Sequence, residues 1–305
     1  MLRPEEVVLD LRARGYLLES APGLTGMRGP LATLYSSVSA AIAEIAAAES
    51  IETWRMPQGI SFETLERAQY FESFPRWLTA ASHLRDDEAV LERVAHATHP
   101  GNEAAKSLDV ASTALPPAVC YHTYAALANT TIDAPVMMTA EETCWRHEGS
   151  RLSALERGWA FSMREIVFLG SVVGAEAFRQ KDIEEVRSFA ESIGIRASVV
   201  LAADPFFAPT SRGKAILQQV KALKHELVVD CPDGCSLAIS SFNNHERFFG
   251  DAFGIRLNDG QPATTACVAF GIERWMLAIL MTHGTDPANW PDLVGVASAA
   301  RGISI

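Results

Sequence analysis

Residues 144–170 read CWRHEGSRLSALERGWAFSMREIVFLG, a pattern that few architectures accommodate. Two strand-like arms flank a polar loop, so the spacing predicts an antiparallel hairpin. Arg146 and Glu148 stand two apart on the first arm and share a strand face. On the second arm Arg157, Phe161 and Glu165 follow at steps of four, an even spacing that again keeps one face. Pairing the arms puts two guanidiniums, a ring and two carboxylates on one wall. Guanidinium forks clamp phosphates and an aromatic ring stacks on a base, so the wall suits a nucleoside triphosphate. A second stretch, TTACVAFGIERWMLAIL at residues 264–280, reads as a small-residue strand, a turn at Gly271 and a helix. Arg274 on that helix reaches a phosphate from beneath.

The remaining sequence sets the class around these two stretches. A chain of 305 residues holds one large α/β domain or two ordinary ones. With 48% hydrophobic and 21% charged residues it is neither disordered, collagen-like nor a disulfide mini-scaffold. A net charge of −11 argues against a general nucleic-acid binder, which needs a basic field. No run approaches the roughly 20 apolar residues of a membrane span. Glu5 and Glu6 occupy the place of a signal peptide's apolar stretch, so a cytoplasmic location is expected, with the five cysteines as thiols or metal ligands. Helical spacing marks Leu34–Glu49 and Asp86–Ala97. From about Pro117 short strand-like segments take over, interrupted by the helical AEAFRQKDIEEVRSFAESIG. This order predicts an α+β fold with an antiparallel sheet flanked by helices, split into a helical leader over 1–54 and a catalytic domain over 55–305.

The two stretches together resemble motifs 2 and 3 of the class II aminoacyl-tRNA synthetases. Trp145, Arg146, Glu148, Arg157, Phe161 and Glu165 meet the first motif and Gly271 to Trp275 the second. Motif 1, the dimerisation motif, is placed around MPQGISFETLERAQYFESFPRW, with Pro57 as its proline and Tyr70–Phe74 as the interface. Within the class, SFP at 73–75, CWRHEG, LERGWAFSMREIVFLG and ACVAFGIERW are similar to the zinc-dependent, methanogen-type seryl-tRNA synthetases. They are still more similar to the bacterial homologues of those enzymes, the amino acid:[carrier protein] ligases. The resemblance spans about residues 55–285, and the short segment before it suits a ligase better than a synthetase.

That resemblance implies a zinc ion held by Cys120, Glu165 and Cys267, with a fourth position left for the α-amine of a small amino acid, glycine or alanine. It implies ATP with Mg²⁺. Arg146 would hold the α-phosphate and the carboxylate, Glu148 the adenine amine, and Phe161 the base; Arg157 and Arg274 would hold the γ-phosphate. The acceptor it implies is the phosphopantetheine thiol of a carrier protein and not tRNA, and the assembly a homodimer. Ser240, Ser241 and Asn243 are candidates for nucleotide and aminoacyl contacts, and Asp204 and, more weakly, Lys224 for the amino-acid pocket. Arg212, Lys214, Lys221 and Lys224 form a basic cluster for carrier docking or, equally, a solvated helix face. Cys144 reads as packing, Cys231-Pro-Asp-Gly-Cys235 as a turn, and His96 and His99 as a solvated helix end. A tRNA-charging enzyme of the same fold and a non-catalytic binding module remain the alternatives.

Overall fold

The structure, a computed structural model, describes residues 1–47, 51–149, 152–232 and 234–300. The end of the expected Leu34–Glu49 helix, the loop residues Ser150 and Arg151, and the side chain of Arg212 lie outside the described residues. A seven-stranded sheet organises the chain: β1 (Glu52–Thr53), β2 (Val136–Trp145), β3 (Ala160–Gly170), β4 (Ser198–Leu201), β5 (Lys224–Asp230), β6 (Ser236–Asn244) and β7 (Thr264–Gly271). Their order across the sheet is β4-β5-β6-β7-β3-β2-β1. Every neighbouring pair is antiparallel except β1 with β2, which run parallel. The sheet and its flanking helices make the expected α+β fold.

Alternation along β3 and β7 separates two faces. Ile166, Val268 and Phe270 turn to a large apolar layer, while Met163, Val167, Cys267 and Ala269 turn to a second one. The first layer is covered by α1 (Pro4–Ala13), α2 (Pro30–Ala46), α4 (Val172–Ser192), α7 (Ile272–His283) and α8 (Leu293–Ala300). The leader helices thus pack into the same core as α7: Leu31, Leu34, Val38 and Ile42 are buried beside Trp275 and Ile279. The run WMLAILM forms the buried centre of α7, and Gly284 ends it at φ 84°, a left-handed value open to glycine. On α4 the Ser171 hydroxyl caps the first turn by accepting from the Gly174 N–H. Among the described residues no helix is long and apolar enough to cross a membrane.

The second face is less covered. α3 (Cys120–Ala126) and α6 (Phe248–Phe253) lie on it, and α5 (Ala208–Val220) stands near its rim. The aromatic run expected at a subunit interface is divided. Tyr70 is buried inside the chain, with Tyr121 edge-on at 5.9 Å and Phe74 at 5.8 Å. Its ring is spent on the chain's own core, while Phe71 and Phe74 are half-buried and Glu72 and Pro57 are exposed.

Candidate active site

The open face carries a cavity of about 820 Å³. All the residues singled out for chemistry in the sequence border it, Ser240 by its backbone: Cys120, Arg146, Glu148, Arg157, Phe161, Glu165, Asp204, Lys224, Ser240, Ser241, Asn243, Cys267 and Arg274. The hairpin pairs as expected, with Cys144 opposite Phe161 and Ala140 opposite Glu165. Its tip opens: β2 stops at Trp145 and β3 starts at Ala160, so Arg146, Glu148 and Arg157 belong to the loop and reach the cavity from the strand ends. Cys144 is fully buried packing, and the CPDGC turn closes β5 to β6 through a Gly234 N–H donated to the Cys231 carbonyl at 3.0 Å.

At one end of the cavity three elements bring their donors together. Glu165 lies opposite Ala269, which sets Cys267 diagonally across the β3–β7 pair on the same face. Cys120 begins α3, and its N–H and that of Val119 donate to the two Glu165 oxygens at 3.1 and 3.3 Å. The ligand atoms of Cys120, Glu165 and Cys267 all lie within 4.8 Å of one another, and all three residues are buried. Burial pushes the Glu165 carboxyl up to about 8, with Cys267 adding to the effect and the Cys120 thiol, the Arg146 charge and the Val119 N–H opposing it. The thiol of Cys120 donates to Cys267 and holds Cys267 well below the ordinary cysteine range. Without a cation the cluster keeps protons on Cys120 and Glu165; a divalent ion displaces them, and its charge offsets the anions that ligation creates. Two sulfurs and one carboxylate oxygen are a donor set that suits zinc with a position to spare.

At the other end the guanidiniums converge. Arg274 is fixed from β6 and the hairpin loop: its Nε donates to the Glu156 carbonyl at 2.8 Å and its Nη1 to the Ala238 carbonyl at 3.1 Å. Burial pushes Arg274 down, and the like charges of Arg157 and Arg146 push the same way. Cations held close enough to disfavour one another create a potential that an anion relieves. Arg146 donates from Nε to the Pro117 carbonyl at 2.9 Å and lies between the rings of Trp77 and Phe161, at 5.1 and 5.4 Å from their centroids. Arg157 is paired with Glu148.

Between the ends, Ser241 and Asn243 share a face of β6, with Asn243 Nδ2 donating to Ser241 Oγ at 3.2 Å. Ser240 turns the other way, and its hydroxyl accepts from the Trp275 indole at 3.0 Å. The buried Lys224 and the half-buried Asp204 pair at 2.6 Å, with Glu226 3.0 Å from the same Nζ. Burial raises Asp204, but Lys224 and Gln218 outweigh it and hold the carboxyl below its usual range. Lys224 is therefore internally matched, while Lys214 donates to Gln69 and Ser73 at 2.9 and 3.0 Å, tying α5 to the rim of the cavity. Sequence reasoning passed over Trp77, which stacks on Phe74 at 5.0 Å, and His245, which follows β6. An aromatic residue next to the SFP segment was the available signal for the first; a lone histidine offered none.

No family model matches the chain. It is 35% identical over 294 residues to amino acid--[acyl-carrier-protein] ligase 2 of Bradyrhizobium diazoefficiens, covering 92% of this chain and 86% of that protein. To ligase 1 of the same organism it is 33% identical over 266 residues, covering 82% and 80%. Among solved structures, M. kandleri SerRS in complex with A. aeolicus tRNASec superposes with a TM-score of 0.84 at 22% identity, covering 97% of this chain and 60% of that one. That likeness establishes the fold.

Proposed function

The chain belongs to the amino acid--[acyl-carrier-protein] ligases, and from that premise we propose that it activates a small amino acid, glycine or alanine, with ATP and Mg²⁺ and passes it to the phosphopantetheine thiol of a carrier protein. The observation that carries this reading is the buried Cys120–Glu165–Cys267 cluster in the same cavity as Arg146, Arg157 and Arg274. Cys120, Glu165 and Cys267 would hold zinc, which when bound supplies a Lewis-acid anchor for the substrate's amine.

The rest follows from the chain's own residues. Phe161 stacks on adenine and Glu148 accepts from its amine once Arg157 releases it. Arg146, pinned by the Pro117 carbonyl and two rings, points its free N–H groups at the α-phosphate and the amino-acid carboxylate. A carboxylate oxygen then attacks the α-phosphorus, the bond to the bridging oxygen of pyrophosphate breaks, and an aminoacyl adenylate forms. Arg157 and Arg274 take up the charge on the leaving pyrophosphate; placement and charge neutralisation carry this step. In the second step the carrier's thiol loses its proton and its sulfur attacks the carbonyl carbon. AMP leaves with the electron pair of the broken carbon–oxygen bond. Asn243 and the Asp204–Lys224 pair bound the amino-acid end. Lys214 and Lys221 near the rim would face an acidic carrier, Lys221 on release from its ion pair with Glu246. The net charge of −11 weighs against an extended polyanion such as tRNA as acceptor. The assembly is a C2 homodimer, the commonest arrangement of soluble oligomers.

The test is amino-acid-dependent pyrophosphate exchange across all the amino acids, then transfer of labelled amino acid to holo carrier, apo carrier and bulk tRNA. Exchange with glycine or alanine and label on holo carrier alone are expected. Label on tRNA, or no exchange with any amino acid, overturns the proposal. Light scattering at micromolar concentration reads the dimer.

A further inference from the structure

Cys267 has a second set of neighbours behind it, apart from the donor cluster. Asn243 Nδ2 donates to its sulfur at 3.5 Å, and His245 Nε2 faces the same sulfur at 3.9 Å. The other ring nitrogen of His245, Nδ1, is 3.2 Å from the Thr265 hydroxyl and 3.4 Å from the Tyr124 hydroxyl. The ring plane is set by packing. Tyr124 and Phe249 meet it edge-on, with centroids at 6.2 and 4.9 Å. The backbone holds it too: the His245 N–H donates to the Thr265 carbonyl at 2.8 Å and the Thr265 N–H to the Glu246 carbonyl at 2.9 Å. So many fixings on one exposed-edge histidine beside a catalytic cavity exceed what filling space requires.

The hydrogen bonding decides which nitrogen carries the proton. Cysteine ligates metal as the thiolate. A lone pair on Nε2 would face that sulfur's charge; a proton on Nε2 points at it instead. With the proton there, Nδ1 is an acceptor, and its two neighbours are hydroxyls able to donate. Such an outer hydrogen bond orients a ligating atom and fixes its lone pairs. His245 is outside the cluster of mutually close donors, which holds Cys120, Glu165 and Cys267 alone among the described residues.

We infer that His245 is a positioning residue: its Nε2–H, held in that tautomer by Thr265 and Tyr124, aims the Cys267 sulfur at the metal position. This rests on the zinc reading above, so the experiment separates the two. Metal-stripped wild type, His245→Ala and His245→Gln are titrated with zinc against a chromophoric chelator, and with cobalt to read the sulfur-to-metal charge-transfer band. Circular dichroism follows the fold. His245→Ala should weaken zinc binding roughly 10–100-fold and shift the cobalt band. His245→Gln, whose amide N–H reaches the same point, should recover most of both. A residue that only supports the fold would lower thermal stability without this metal signature or this rescue. Should His245→Ala fail to fold, the double variant Thr265→Val, Tyr124→Phe decides: it strips Nδ1 of both hydroxyls and should weaken zinc in the same direction by a smaller factor. Unchanged zinc affinity in His245→Ala, or in the double variant when that is the one that folds, overturns the inference. So does a His245→Gln no better than alanine. A wild type that binds no zinc overturns the zinc reading and this one with it.

Discussion

Glu165 and Asp182 are two buried carboxylates on opposite sides of one sheet. Both are pushed up chiefly by burial, Glu165 to about 8 and Asp182 to about 7. Their surroundings differ. Glu165 sits on the open face with two backbone N–H donors and two thiols around it. Asp182 sits on α4, on the side packed by helices, and its Oδ2 has no hydrogen-bond partner among the described residues. A perturbed carboxyl is therefore not by itself a mark of function. What separates a site from a cost is whether other groups converge on the same oxygen atoms. The comparison can be broken or sharpened at four points.

The sharpest is Glu165→Gln, which keeps the volume and removes one anionic donor. About one zinc per chain should become none, and amino-acid-dependent pyrophosphate exchange should disappear with it. Cys267→Ala should behave the same way if, as proposed, the metal also anchors the amine. Metal analysis and exchange assayed on the same preparation check this. Zinc retained with full exchange would put Glu165 in the same structural category as Asp182.

Arg274→Ala comes next. Its guanidinium is anchored by two carbonyls and repelled by two other arginines, so it is poised for charge that grows during reaction. Removing such a donor costs roughly 10²–10³-fold in rate, with circular dichroism unchanged and zinc retained. A near-normal exchange rate would take Arg274 out of the chemistry.

Arg157→Ala should be milder. Arg157 is already paired with Glu148 and is partly exposed, so ATP gains its charge only by breaking that pair. The KM for ATP should rise roughly tenfold, about 1.4 kcal/mol, with kcat changed less. A loss of kcat as large as that of Arg274→Ala would show that both act on the transition state.

How much of this the sequence disclosed depends on which force fixes each residue. The hairpin wall was legible because strand alternation is local: Phe161 and Glu165 share a face through parity alone. The donor set became legible only through family resemblance, since α3, β2 and the hairpin loop separate Cys120 from Glu165 and no spacing rule spans them. In the aromatic run at 70–74 apolar character says that a ring is covered, not by what. Tyr70 is covered by its own chain. Arg146, Glu148 and Arg157 were placed on strand arms, yet the arms end before them, and the tip geometry comes from the Arg146 N–H donated to the Trp159 carbonyl at 2.9 Å. His245 gave no sequence signal, because its role arises from partners on α3 and β7 that only the fold assembles.

The smallest effect tests the other half of the comparison. Asp182 has an ordinary carboxyl value of 3.8 when unfolded and about 7 when folded. Between those two values the unfolded chain gives up its proton first, so the folded state becomes less favourable as pH rises. Above about 7 both states are ionised and the cost stays constant. Asp182→Asn keeps the shape and removes the charge, so it should be more stable than wild type, and the gap should widen from about pH 4.5 to about pH 8. In melting temperature each kcal/mol is worth roughly 2–4 °C in a chain of this size class. Zinc content and exchange activity should not change. A melting-temperature gap that is the same at both pH values would mean that Asp182 has a compensating partner when ionised. The two carboxylates would then differ in the identity of their partners and not in having them.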